Sequence, residues 1–143
     1  MIGILFSILA GIFISLQGVF NTRVSDKIGF LETTTVVHGV GFIFALIITL
    51  IYGSGSFSKI GEINKIYLLG GVFGVIIVFS VAKGISILGA SFSIAIMLVI
   101  QLIIATTIDT FGLFGSPQIK FEYTKLVGLF FMIIGIIIFK LKG

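Results

Sequence analysis

Residues 84–108 read GISILGASFSIAIMLVIQLIIATTI, with no charge between Lys83 and Asp109. A helix crossing the hydrocarbon core needs roughly 20 apolar residues, with about 17 to 25 workable. The stretch therefore predicts one crossing, preceded by a tight hairpin around residues 84–89. Working outward, residues 66–82 are uncharged up to Lys83, and residues 33–52 are uncharged up to the flexible run Gly53-Ser54-Gly55-Ser56. Residues 2–20 are uncharged before Arg23, Asp26, Lys27 and Glu32, and residues 126–139 lie between Lys125 and Lys140. The charges act as punctuation, and the pattern predicts helices over 2–22, 33–52, 66–83, 90–114 and 123–140 in a single transmembrane domain, 1–143. The last apolar run is short and reaches across if its lysines snorkel. Tyr52, Tyr67 and Tyr123 fall at expected helix ends, where amphipathic rings prefer to sit.

Composition points the same way. Of 143 residues, 58% are hydrophobic and 10% charged, and the mean hydropathy is +1.35. A soluble domain is about half apolar and about a quarter charged, and so short a chain keeps much of its area on the surface. The solvent for that surface is lipid, and the fold class is an all-α integral membrane protein with five transmembrane helices. The first helix lacks the basic leader of a signal peptide. With no cysteine and one histidine, neither a disulfide nor a metal-ligand cluster is expected. There is no phosphate-cradling loop and no nucleophile with a base beside it. The sequence therefore predicts no enzyme, no cofactor and no metal. The net charge of +4 reflects loop lysines and favours anionic lipid surfaces, with no indication of nucleic acid.

Lys and Arg near helix ends set orientation, the excess lying in the cytoplasm. Five spans put Lys59, Lys65, Lys120 and Lys125 on one side, and Arg23, Lys27, Lys83, Lys140 and Lys142 on the other, a score of 4 against 5 for the 9 basic residues. Two readings follow from so small a bias: one dominant loop, or insertion both ways with pairing as an antiparallel (inverted) dimer. The partner is then a second copy or an oppositely oriented paralogue.

Between helices in lipid, close packing of small residues matters more than apolar burial. Gly3, Ser7, Gly11 and Ser15 repeat at four-residue spacing, with Gly70 and Gly74 on the third helix and Gly128 and Gly135 on the fifth. These are expected packing seams. Polar groups inside the membrane are costly and tend to mark pathways. Gln17 and Asn21, four apart, share a helix face; His38 sits inside the second helix; Gln101 and Asp109 lie on the fourth, roughly 80° apart around its axis. Gln17, Asn21, Gln101 and His38 are candidates for a substrate pathway. Asp109 is a candidate for coupling, or an interfacial carboxylate paired with a lysine.

The fourth-helix region carries Leu88-Gly89-Ala90, Gln101-Leu102, Ile108-Asp109 and Phe111-Gly112-Leu113-Phe114-Gly115. With Gln17 and Asn21, this resembles the YdcZ-type family of short bacterial membrane proteins, in the drug/metabolite transporter superfamily and related to the small multidrug resistance proteins. The resemblance implies a bacterial inner-membrane protein of five helices per chain, working as an antiparallel pair. It also implies a transporter of small molecules. The chain has Thr110 where many members have histidine, Ser86 and Ile87 where proline and a basic residue are common, and His38 where a serine-phenylalanine pair is common. Its first helix also lacks the acid with which the small multidrug resistance proteins exchange cations for protons. The functional expectation is a secondary transporter of an unidentified small polar or amphipathic molecule, with a central polar cavity. The alternatives are a passive channel of the same architecture or a non-transporting assembly protein.

Overall fold

The structure, a computed structural model, describes residues 1–141. Five α-helices follow one another: α1 (Ile2–Ile28), α2 (Phe30–Tyr52), α3 (Gly70–Leu88), α4 (Ala90–Phe111) and α5 (Tyr123–Lys140). Short 3-10 segments at Phe57–Glu62 and Lys65–Leu69 lead into α3, and another at Leu113–Gly115 follows α4. All five spans are long and apolar enough to cross a membrane, that of α3 taking in the Lys65–Leu69 run-in. No strand occurs among the described residues. Helices are the economical answer in lipid, because each backbone N–H and C=O is satisfied within its own segment.

Several boundaries differ from those the charges suggested. α1 runs six residues past residue 22, carrying Arg23, Asp26 and Lys27 on helix. α2 starts at Phe30, so an expected loop shrinks to Gly29 alone. α3 begins at Gly70, later than expected, and continues to Leu88. Lys83 is thus a helical residue, and the expected hairpin over 84–89 reduces to Gly89. α4 ends at Phe111, three residues before the expected 114, with Gly112 as its left-handed cap. One physical reason accounts for the extensions of α1, α2 and the end of α3; the late start of α3 and early end of α4 fall at Gly70 and Gly112. Charges mark where side chains meet water, and helices continue past that point while long side chains reach outward.

Gly29 and Gly89 share one backbone solution, with φ/ψ of 95°/158° and 81°/159°. That region is essentially open to glycine alone. Each also starts the next helix: Thr33 N–H donates to Gly29 O at 3.1 Å, and Ser93 N–H to Gly89 O at 3.2 Å.

The chain divides into two compact units, Met1–Ile87 and the remainder from Leu88. In the first, α3 meets both preceding helices. A Cβ on Gly18 would lie 2.7 Å from Ile85 Cδ1 and 3.0 Å from Val81 Cγ1, so α1 and α3 approach closely there. The Thr22 hydroxyl, bonded to Gly18 O at 2.8 Å, also lies 3.2 Å from Ala82 O across that contact. On α2, Phe30 packs edge-on against Phe79, centroids 6.1 Å apart, under the Lys83 ammonium at 4.6 Å. The buried apolar residues of this unit are Val78, Ala82 and Ile85, all on α3. In the second unit α4 packs with α5. The segment after α4 folds back on its end: Ile119 N–H donates to Asp109 O at 2.8 Å, and Gln118 Nε2 to Thr110 O at 3.0 Å. Two carbonyls that a helix end would otherwise leave bare are thereby satisfied.

Gly29→Ala is expected to lower stability by about 1–3 kcal/mol, the cost of forcing a side chain into that backbone region. Gly3→Ala, where nothing lies within 4 Å of the added methyl, is expected to be neutral or stabilising by up to about 1 kcal/mol. Thermal unfolding of the two variants in detergent, followed by circular dichroism, checks the contrast.

Candidate functional site: polar groups of the membrane spans

Most hydroxyls in the spans are spoken for. Ser7, Ser15, Thr22, Ser25, Thr33 and Thr34 each donate to the carbonyl four residues back, at 2.7–3.0 Å. This back-bond is the local route for a Ser or Thr hydroxyl that has no water. Amides and imidazole are different, because their donors and acceptors stand off the helix.

Gln17 lies two residues past the midpoint of α1 and Gln101 at the midpoint of α4. Both are exposed on the single chain, and no hydrogen bond from either is found among the described residues. Asn21, by contrast, is buried, alongside buried Thr22 and Ser25. The expected Gln17–Asn21 face is therefore covered at one end and open at the other. The cover comes where α3 closes on Gly18 and Thr22; above that point α1 has no buried residue.

His38 is half-buried. Its Nδ1 lies 2.8 Å from Thr34 O, and a carbonyl only accepts, so Nδ1 carries the proton. In the neutral ring Nε2 is then the acceptor. That atom points at α3: a Cβ on Gly74 would meet it at 3.2 Å. Gly74 is thus the place where the ring fits against the neighbouring helix, whereas Gly70 has nothing within 4 Å.

Asp109 is half-buried, two residues before the end of α4. The expected lysine partner is not there: among the described residues the one ion pair is Arg23–Asp26, at 4.0 Å and exposed. Asp109 and Gln101 remain two turns apart on one helix. No three His, Cys, Asp or Glu side chains come together to hold a metal among the described residues.

The expected seams divide similarly. Gly3 and Gly11 have nothing within 4 Å, nor do Gly128 and Gly135; Ser7 is exposed and Ser15 half-buried. The close approach at Gly18 was not anticipated from sequence. Its signal was the step of three from Ser15 to Gly18, followed by Thr22 and Ser25. Steps of three and four together track one face of a 3.6-residue helix, whereas repeated steps of four drift about 40° each.

Five apolar spans with a sparse polar lining define a multi-pass helical membrane protein. The chain belongs to the family described as "Putative inner membrane exporter, YdcZ", whose profile matches residues 2–138. Its place is accordingly the inner membrane. No curated protein and no solved structure matches the chain.

Neutral His38 is expected to show an Nδ1-protonated imidazole by 15N NMR of the ring-labelled protein. Gly74→Val, which drives a branched side chain into Nε2, is expected to shift the His38 resonances and lower thermal stability. An Nε2-protonated spectrum in the wild type contradicts the assignment.

Proposed function

We propose that the chain is a secondary exporter of small polar or amphipathic molecules, working as an antiparallel pair with a polar midplane cavity, for which the exposed amides of Gln17 and Gln101 are each candidates and Asn21 is the buried neighbour of the first. The observation that carries this reading is the position of two uncovered amides at the centres of α1 and α4. A primary amide facing hydrocarbon without a partner costs several kcal/mol, about 2–7 depending on reference state. A second copy or a water-filled cavity removes that cost. Membership of an exporter family makes a substrate path the economical use of such a cavity. The balance of 4 basic residues against 5 suits insertion in both orientations, and inverted halves around a midplane site allow alternating access. A lining of neutral amides favours substrates recognised by hydrogen bonds over those needing a fixed counter-charge. His38 sits deeper in the first unit and serves in this reading as a packing residue at the edge of the path. Asp109, at the end of α4 and without an ion pair among the described residues, is the carboxylate we assign to coupling.

Four outcomes test the proposal. The chain has no cysteine, so Ser56→Cys between α2 and α3 is a unique reporter. Impermeant thiol reagents are expected to label comparable fractions from each face of intact membranes; labelling from one face alone removes the inverted homodimer. In liposomes, a panel of labelled small polar and amphipathic compounds is expected to include one with saturable flux and counterflow. Gln17→Leu and Gln101→Leu are expected to lower that flux about two- to tenfold each, the range for one hydrogen bond, without loss of thermal stability. Asp109→Asn is expected to change the pH dependence of flux, and an unchanged profile removes it from coupling.

A further inference from the structure

The second unit holds a feature that the transport reading does not use. Between α4 and α5 runs a groove of about 330 Å³, lined by Phe92, Ile96 and Ile100 from one helix and Ile133, Ile137 and Lys140 from the other. Phe92 to Ile100 is eight residues, or about 12 Å along the helix axis. The hollow is therefore elongated along the helices, and every side chain just named except Lys140 is apolar. Lys140 stands at one end, its ammonium 5.2 Å from the centre of the Phe92 ring. A smaller hollow of about 250 Å³ adjoins that end, sharing Phe92 and Lys140 and adding Ser91. Among the described residues Lys140 has no carboxylate partner.

We propose that this groove seats one acyl chain of an anionic phospholipid, with the lipid phosphate on Lys140. Three points of chemistry select that occupant. The groove is long, narrow and apolar, which suits a hydrocarbon chain. Its single charge is positive and sits at the last residue of a spanning helix, where an ammonium reaches the headgroup layer. Among the described residues the cation is held by a ring face alone, a weak exposed contact, whereas a phosphate offers it charge-assisted hydrogen bonds. A zwitterionic lipid brings the same chain, but its own cation offsets the attraction. A second copy of the protein could fill the apolar part, and the test separates that case. The proposal stands on inner-membrane residence alone and is independent of the transport reading.

The chain has no tryptophan, so a single engineered one reports on a chosen place. The full chain carrying Phe139→Trp, beside the Lys140 end, is reconstituted in vesicles of phosphatidylcholine and phosphatidylglycerol, with one or the other brominated. Quenching is expected to give about a fivefold preference for phosphatidylglycerol, the scale of one lysine beside an anionic headgroup. The preference should vanish with Lys140→Ala and persist with Lys140→Arg. A reporter at the exposed Phe42 of α2, Phe42→Trp, should show no preference. Equal quenching by the two lipids at the groove overturns the proposal, as does a preference that survives Lys140→Ala. Absence of quenching by either lipid overturns it too, since that is the result of a protein neighbour filling the groove. The arginine variant and the reporter with Lys140 intact keep the test decisive if Lys140→Ala fails to fold.

Discussion

Hydrocarbon makes no hydrogen bonds, and that single deficiency organises this molecule. Each backbone segment answers it by becoming a helix. Most hydroxyls of the spans answer it by turning back on their own helix, as Thr22 does to Gly18 and Thr33 to Gly29. What is left over is small and informative. The amides of Gln17 and Gln101 and the free nitrogen of His38 cannot be absorbed by the helix that carries them. The His38 ring is lodged against Gly74, which offers Nε2 no donor; the two amides remain uncovered. The candidate site is in this sense a residue of the solvent constraint, defined by the groups that local structure does not satisfy.

The same constraint inverts the usual composition of an interior. The buried apolar side chains are Val78, Ala82, Ile85 and Val99, whereas Asn21, Thr22, Ser25, Thr33, Thr34 and Ser93 are buried and polar or hydroxylic. Lipid solvates Leu, Ile and Phe as well as a protein core does, so burying them brings little net gain. Helices meet instead where a missing side chain permits backbone approach. Gly18 does this for α1 and α3, and Gly74 for α2 and α3.

The spacing of charges revealed the number of spans and their order, because a bilayer fixes the length of an apolar run. It misplaced helix ends, because Arg23, Asp26, Lys27 and Lys83 sit on helix beyond the apolar stretch. The polar candidates were legible by residue type alone. Their grouping was less so: Gln17 and Asn21 share a face, yet one is buried and the other is not, since α3 covers only the lower half of α1. That difference depends on a neighbour's contour, which a period of 3.6 residues does not encode. The glycine seams show the same limit. A stripe of small residues marks where approach is permitted, and Gly18 rather than Gly3 or Gly11 is where it happens within the first unit.

Gly29 carries a last consequence, for the geometry of the first two spans. A joint of one residue leaves no slack between the folded α1 and α2. In the folded protein the two helices form a hairpin closed by a single residue, so their joined ends lie at the same face of the bilayer. By contrast, residues 53–64 between α2 and the run-in to α3 leave the next pair of spans a longer tether. The bend of this paired element carries Arg23, Asp26, Lys27 and Glu32, so both of its bases and both of its acids share one end.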